Sequence, residues 1–520
     1  ESATEQALAA IWPELLTIDA AHISRTANFF ELGGHSLLVM NVVHIIHRTL
    51  KSQVPVQCLF ENPVLAQFVS LVEQYQHTDS SLTVTKASSC EDGYPLSAAQ
   101  RRMWFMDQLD NESTHYNLNY QFEVRGEFDV ALAERAFSLL LSRHEILRTS
   151  YHETDTDEIQ LVQPVSAFVL EHSCVTRDDY SNKLGKVQAR LGQRFDLTKA
   201  PLLRVAYIDV AAESTGTLLL CLHHIATDGW SMNLLFNEFV TLYRSELAEG
   251  NNPLVANPLS YIDYAVWQTQ YQNSEACRAS LSYWKEQLSK APAQHDIKLD
   301  FPRPQIKHHA GAVLTRTLPK TQAEKLKHFI GAHNLTPFML AHAALSLVVA
   351  QHGRDSQCVI GTPIAGRHEQ QLANLVGLFV NTVALTAKTD FDTLGDFFSH
   401  IRDVNIAAQS HNLVPFDSVV DALNVTRSAA ISPIFQIMLT TDSEESFRIG
   451  GAQSADDLTD VEFIAKTSSS ISTKFDLDIH FDLSHQQLTI HWVYDTSLFK
   501  VSSIERLAEQ MEQVLGGLAE

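Results

Sequence analysis

Residues Leu218-Leu219-Leu220-Cys221-Leu222 form an unbroken apolar run that stops at His223-His224 and turns through Asp228-Gly229. An amphipathic stretch follows from Ser231 to Phe239. Apolar residues at every position, rather than at alternate ones, predict a strand buried on both faces. Such a strand needs cover on two sides, and it constrains the fold more than any other segment. Two titratable rings where a buried strand opens into a turn are costly unless they do chemistry. Function is therefore expected at this turn.

At 520 residues the chain exceeds what one hydrophobic core usually supports, which predicts two or three folding units. A formal net charge of −23 argues against nucleic acid or an anionic membrane as the main partner. Cys58, Cys90, Cys174, Cys221, Cys277 and Cys358 are scattered without a Cys-x-x-Cys pair. That spacing fits reduced thiols in the cytoplasm, not a disulfide framework or a zinc site. No signal peptide or membrane span is expected, since the most apolar segment, Phe338 to Ala350, is too short to cross a bilayer. The chain opens on Glu1 and stops soon after a helical pattern, as an excised piece of something longer would.

Residues 1–75 read as a small helical unit, with helices expected at Ala3 to Leu16, Leu37 to Leu50 and Val64 to Tyr75. The second carries more apolar surface than one stripe needs, which suits a buried helix or one whose first turns meet partners. Residues 76–93 are rich in Ser, Thr and Asp and read as a linker. Fully extended, it would reach roughly 60 Å. From Tyr94 onward strands and helices alternate, which is α/β in character. Helices are expected at Ser97–Leu109, Val130–His144, Met232–Leu247, Pro319–His333, Pro337–Gln351, Leu394–Gln409 and Ser502–Leu518. Strands are expected at Asn117–Val124, Leu202–Asp209, Leu218–His223, Cys358–Pro363, Phe435–Leu439, Asp476–Phe481 and Gln487–Tyr494. Two lobes would divide near residue 270, giving 94–270 and 271–520.

Neighbouring strand residues point to opposite faces, so His223 and His224 are not expected to serve one cavity together. That weighs against a metal centre, whose ligands converge, and no metal is assigned. Asp228 can brace the loop or pair with a buried arginine. A neutral imidazole in a cleft is suited to orient or deprotonate an amine near neutral pH. Neither a Gly-x-Ser-x-Gly elbow nor a phosphate-binding glycine loop is present, so the substrates must arrive already activated.

With these residues in view, the chain resembles a peptidyl carrier–condensation didomain of nonribosomal peptide synthetases, of the tyrocidine-synthetase type. His223-His224-Ile225-Ala226-Thr227-Asp228-Gly229 matches the HHxxxDG signature of condensation domains. Ser97-Ala98-Ala99-Gln100-Arg101-Arg102-Met103-Trp104, Arg143 to Thr149 and Tyr261 to Gln268 match further motifs. So do Gly361 to Arg367 with Val376 to Thr382, Val414-Pro415-Phe416 and Pro433 to Gln436. The amino-terminal unit resembles a peptidyl carrier through Phe29-Phe30-Glu31-Leu32-Gly33-Gly34-His35-Ser36-Leu37, with Asn28 where the family often has Asp.

The resemblance implies a two-lobed chloramphenicol-acetyltransferase-like α/β (α+β) fold preceded by a small four-helix carrier. It implies 4′-phosphopantetheine covalently borne on Ser36. The activity implied is peptide-bond formation, in which an acceptor aminoacyl amine attacks a donor thioester near His224. His223 and Asp228 are then structural, Arg367 is the candidate partner of Asp228, and Gly229 is a candidate for facing the oxyanion. Trp230 and Ser231 are expected to pack and to cap the helix. Arg143 to Thr149 reads as a charge cluster, Tyr261 to Gln268 as an aromatic stripe, and Arg102 and Asn381 as tunnel-lining candidates. Held geometry supplies up to about 7–11 kcal/mol, and proton removal about 10²–10⁴-fold. By that weighing, His224 is expected to matter as much for placing the amine as for taking its proton.

The opening motif resembles the subtype joining an L-donor to an L-acceptor. An epimerase, a domain modifying the tethered residue and a non-catalytic recruitment platform are the alternatives on the same fold. The partners implied are an upstream adenylation domain, a downstream adenylation domain with its acceptor carrier, a phosphopantetheinyl transferase and tethered aminoacyl or peptidyl substrates. Nucleic acid and membrane are not among them.

Overall fold

The computed structural model describes residues 2–520 except 17, 20–22, 35, 51, 53, 55–57, 60–61, 76–82, 91, 110–113, 156, 212, 249, 354–355, 426–427, 429, 442–460, 467–472 and 484–486. Three helices make the described frame of the amino-terminal unit: α1 (Ala3–Leu16), α2 (Ser36–Leu50) and α3 (Leu65–Gln74). Their apolar stripes meet around Leu8, Trp12, Val39, Ile46 and Phe68, all buried. Phe29 packs edge-on against Trp12 with ring centroids 5.1 Å apart, which fastens the long α1–α2 loop to the bundle. Asn28 bridges to Val64 and its Oδ1 accepts the Phe30 N–H at 3.0 Å. Residues 58 and 59 form a further helical turn; the rest of the expected fourth helix lies outside the described residues.

The first half of the large unit holds β1 (Tyr94–Pro95), α4 (Ala98–Leu109), β2 (Asn117–Arg125), α5 (Val130–Arg143), β3 (Thr149–Glu153), β4 (Glu158–Val162), β5 (Glu171–Val175), α6 (Arg177–Leu191), β6 (Leu203–Val210), β7 (Thr215–His223), α7 (Gly229–Leu247), α8 (Tyr261–Gln272) and α9 (Glu275–Leu288). The second half holds β8 (Gly311–Leu318), α10 (Lys320–Ala332), α11 (Pro337–His352), β9 (Gln357–Ile364), α12 (Gln370–Ala373), β10 (Asn381–Lys388), α13 (Leu394–Ser410), α14 (Phe416–Ala422), β11 (Ile437–Thr441), β12 (Glu462–Lys466), β13 (Leu477–Leu483), β14 (Leu488–Asp495) and α15 (Val501–Ala519). No single described helix is long and apolar enough to cross a membrane.

One sheet runs β12-β2-β7-β6-β5 and the other β10-β9-β11-β13-β14-β8, with a small β1-β4-β3 sheet beside the first. The apolar run forms β7, the centre of the five-stranded sheet, and it is buried along eight of its nine residues. Strand β12 comes from the second half yet pairs antiparallel with β2 of the first, Glu462 opposite Arg125 through Lys466 opposite Gln121. The halves are thus tied by a shared strand. Thr336 caps α11 through the Met339 N–H, with Pro337 as its first residue.

The segment expected to be a free linker is partly fixed. The Val84 N–H donates to Glu369 Oε1 at 2.9 Å and the Ala87 N–H to Asp263 Oδ1 at 2.7 Å. Val84 is also buried. An extended backbone has donors to satisfy, and two carboxylates at the seam satisfy them. The reach read from eighteen free residues is shortened accordingly. In this arrangement α2 of the carrier packs beside α12 of the large unit.

Candidate functional site

Strand β7 ends between the two histidines, and His224 leaves the sheet in a single 3₁₀ turn. The His224 backbone N–H donates to the Tyr116 carbonyl at 2.8 Å, and its Nδ1 lies 2.8 Å from the Thr227 carbonyl oxygen. A carbonyl only accepts, so Nδ1 carries the hydrogen and Nε2 carries the free lone pair. Burial first, and the Lys474 ammonium second, push the His224 pKa down to about 4. His223 is buried; its Nδ1 accepts the Ile225 N–H at 3.2 Å, and its ring stands 6.1 Å from Phe195 and 6.4 Å from Tyr116. Burial, then the neighbouring His224, push it down to about 3. Both rings are neutral at physiological pH, and only His224 keeps partial access to solvent.

These shifts carry a stability consequence. A histidine held near 4 in the fold and near 6.5 when unfolded takes up more protons in the unfolded state across that window. Stability therefore falls as pH drops from 6.5 toward 4, by at most about 1.4 kcal/mol per pH unit for each such group. His224→Ala is expected to lose less stability over this range than the wild type, as read from urea midpoints at stepped pH. Parallel losses in the two proteins would contradict the neutral His224.

Asp228 caps α7 with Oδ1 accepting the Ser231 N–H at 2.8 Å, while its Oδ2 accepts the Phe379 N–H at 2.9 Å. Arg367 Nη2 donates to Asp228 Oδ1 at 3.2 Å and to Ser231 Oγ at 2.7 Å. Arg367 Nη1 donates to the Leu372 and Leu375 carbonyls at 2.7 and 2.9 Å, and the guanidinium lies 4.0 Å from the Phe379 ring centroid. The side chains of Arg367 and Asp228 are 3% and 5% exposed, so the pair is desolvated and needs every one of these bonds. Burial pulls the Arg367 pKa down, and Asp228 opposes that fall.

The helix cap is therefore Asp228, not Ser231. Ser231 sits three residues later, where its N–H is the group being capped. Its hydroxyl is left to bridge outward, donating to the Gly377 carbonyl at 2.7 Å and accepting the Gly377 N–H at 3.0 Å. Trp230 Nε1 donates to the Ala373 carbonyl at 3.0 Å. The start of α7 is thus fastened to the 367–379 loop of the other half. Gly229 lies outside the left-handed region, and a Cβ there would meet nothing within 4 Å. It supplies open space at the start of α7, not backbone freedom.

Arg102 and Asn381 line one cleft of about 340 Å³, its open mouth included, together with Tyr264, Phe379 and Asp417. Arg102 stands 3.6 Å from Asp417. Asn381 spends its amide on the chain: Nδ2 donates to the Asn412 and Val414 carbonyls at 2.8 and 2.7 Å, and Oδ1 accepts the Phe416 N–H at 3.0 Å. It fixes the cleft wall and has little left for a substrate. His224 does not line this cleft; Phe379 connects it to the Asp228–Arg367 pair. Arg143 and His144 both bind Glu238, at 3.0 and 2.6 Å, and Tyr261 reaches Ser97 Oγ and the Leu378 carbonyl at 2.8 and 2.6 Å. These motifs hold the frame.

On the carrier, Gly33 adopts φ +101°, and a Cβ on Gly34 would stand 2.3 Å from the Phe29 ring. Only glycines let the loop press this closely onto Phe29 as it enters α2. Ser36 is the first residue of that helix; its side chain and His35 lie outside the described residues. A primary alcohol at a helix start reached by a glycine cradle fits attachment of a phosphodiester-linked group.

Two mixed sheets joined across a seam, with a neutral histidine at the end of the central strand, define a two-lobed condensation-type domain. The Condensation domain model matches residues 90–520, and the model described as Phosphopantetheine attachment site matches residues 6–72. The chain belongs to the condensation-domain family of nonribosomal peptide synthetases and carries a phosphopantetheine attachment unit ahead of it. Gramicidin S synthase 2 of Aneurinibacillus migulanus is 30% identical over 516 residues, covering 98% of this chain and 11% of that protein. Tyrocidine synthase 2 of Brevibacillus parabrevis is 30% identical over 514 residues, covering 98% of this chain and 14% of that protein. The chain thus spans a small part of the curated relatives it matches.

Among solved structures, the X-domain from teicoplanin biosynthesis superposes with a TM-score of 0.74 at 22% identity, over 85% of this chain and 97% of that one. The epimerization domain of the third module of tyrocidine synthetase B gives 0.64 at 18% identity, over 83% and 99%. These likenesses show the fold and leave the reaction to the site.

Sequence reasoning missed Phe379 as a backbone partner of Asp228, Ser231 as a bridge and Lys474 as a charge acting on His224. Phe379 sits inside the Val376 to Thr382 motif and Ser231 two residues past the His223 to Gly229 one, but their partners lie more than a hundred residues away. Lys474 follows a Ser/Thr-rich stretch with no periodicity to mark it.

Proposed function

We propose that the chain joins an acyl donor carried on Ser36 to the amine of an acceptor aminoacyl thioester, forming a peptide bond between L-configured residues. The neutral His224, with Nδ1 fixed by Thr227 and Nε2 open, is the observation that carries this reading. The division proposed with it is a carrier at 1–75, a linker at 76–93 and two lobes over 94–520, parted after α9 (Glu275–Leu288) rather than at residue 270, which falls inside α8 (Tyr261–Gln272). An upstream adenylation domain, a downstream adenylation domain with its acceptor carrier, and a phosphopantetheinyl transferase are the proposed partners.

When attached, phosphopantetheine supplies a flexible arm whose sulfur presents acyl groups as thioesters. His224 Nε2 accepts a hydrogen bond from the acceptor amine, aims its lone pair at the donor carbonyl carbon, and takes its proton as the C–N bond forms. The carbonyl is restored as the C–S bond breaks, and the sulfur leaves as a thiol with that proton. Gly229 leaves room for the reacting atoms. Asp228 and Arg367 hold the start of α7, and with it the turn that carries His224. Since a thioester is already activated, no nucleotide is needed for this step.

Mass spectrometry of the chain with a loaded donor and a supplied acceptor carrier tests the reading. An extended product supports it; an altered tethered residue without extension would favour epimerisation or modification instead. Ser36→Ala is expected to abolish the mass increase produced by a phosphopantetheinyl transferase and coenzyme A, with the fold unchanged. A full mass increase in that variant would move the attachment point elsewhere.

A further inference from the structure

Lys474 lies between β12 and β13 in a short segment fixed at both ends. The Thr473 N–H donates to the His309 carbonyl at 3.2 Å, and His309 Nδ1 lies 3.0 Å from the Thr473 carbonyl oxygen. On the other side, the Phe475 ring stacks on Phe435 at 5.4 Å, and Asp476 is held by Arg303 at 2.5 Å and His295 at 3.1 Å. A lysine presented this way has a set direction. Its ammonium lies 5.6 Å from the ring centroid of Tyr116, the residue whose carbonyl takes the His224 N–H.

Among the described residues no carboxylate lies within 4 Å of this ammonium. Burial first, then Arg102, lower its pKa, with Asp478 opposing. The residue as a whole nevertheless keeps solvent access, as a side chain lining an open seam does. The same charge is the second cause of the lowered His224 pKa. Held against Tyr116, the residue that anchors the His224 backbone, this ammonium offers a site for a transient anion.

We propose that Lys474 is a catalytic residue of the condensation, donating a hydrogen bond to the donor carbonyl oxygen as negative charge develops on it. This rests on the peptide-bond reading above. As the amine nitrogen bonds to the carbonyl carbon, the C=O π pair moves onto oxygen and His224 Nε2 takes the amine proton. When that pair returns, the C–S bond breaks and the sulfur leaves with the proton. A donor about 3 Å from the oxygen serves both directions. The phosphate of a carrier arm sits at the opposite end of the arm from the sulfur, which leaves it out of range. A carboxylate on a substrate side chain is the other anion the position could meet, and the test separates the two.

The full chain is loaded at the carrier with alanyl-phosphopantetheine and mixed with an alanine thioester of N-acetylcysteamine, both with uncharged side chains. Single-turnover amide formation is followed for wild type, Lys474→Met and Lys474→Arg. Lys474→Met is expected to lose ten- to a hundredfold in rate, while Lys474→Arg stays within about threefold of wild type. An unchanged rate in Lys474→Met beside an active wild type overturns the proposal alone. With the assay repeated on a glutamyl acceptor thioester, a loss confined to that substrate overturns it in favour of side-chain recognition, and equal losses in the Met and Arg variants overturn it in favour of a packing role. No amide from wild type would overturn the reaction itself, and this proposal with it.

Discussion

His224→Ala is expected to reduce amide formation by at least about a hundredfold while carrier loading and the circular dichroism spectrum stay as in wild type. Two contributions vanish together. The Nε2 lone pair that receives the amine proton goes, a term typically of about 10²–10⁴-fold. The hydrogen bond that places the amine goes with it, and alignment of tethered reactants is itself a large part of the barrier. The fold should survive, because the backbone N–H of residue 224 still reaches the Tyr116 carbonyl, and β7 is held by β2 and β6 whatever side chain follows it. His224→Gln separates the contributions: it keeps a polar group in the pocket but no base near neutral pH. If Gln restores most of the lost rate, positioning dominates; if it behaves as Ala, proton transfer does. A wild-type rate in His224→Ala would remove the mechanism and leave the fold standing.

Much of this arrangement is legible in the amino-acid sequence, and the physical reason differs by element. β7 is readable because a central strand must be apolar on both faces, and α11 because Thr336-Pro337 is a local start signal. Strand β5 (Glu-His-Ser-Cys-Val) and helix α6 are not, since edge and surface elements carry mostly polar residues and have little pattern to show. Strand β12 is equally silent. Its five residues are half exposed, and what makes them a strand is pairing with β2, more than three hundred residues earlier in the chain. At the site, residue types and their turn are legible, while reciprocity is not. Asp228 is a candidate for an arginine partner from sequence, but nothing local indicates that its second oxygen takes the Phe379 N–H. Nor does anything local give Ser231 its role as a bridge to Gly377. Contacts across the seam depend on two halves meeting, and sequence proximity holds no record of that.

Asp228→Ala is expected to be the most destabilising single change at the seam, costing about 3–5 kcal/mol. It leaves the Arg367 guanidinium, 3% exposed, without its carboxylate. It also uncaps α7 at the Ser231 N–H and orphans the Phe379 N–H in a buried position. Asp228→Asn should fare little better, because an amide group can keep one acceptor while its NH₂ must face either Arg367 or the Phe379 N–H, both donors. Arg367→Met removes the buried charge and leaves Asp228 with its two backbone donors, so its loss should be the smaller one. The double variant Asp228→Ala, Arg367→Met should then unfold at higher urea than Asp228→Ala alone, since the uncompensated cation is gone. A charge-reversal swap should fail to recover stability: an aspartate at 367 cannot satisfy the Leu372 and Leu375 carbonyls, and an arginine at 228 cannot accept from Ser231 or Phe379. Urea midpoints of the four proteins decide the matter. Strictly additive losses would mean that the two side chains act independently, and that something other than this ion pair joins the start of α7 to the 367–379 loop.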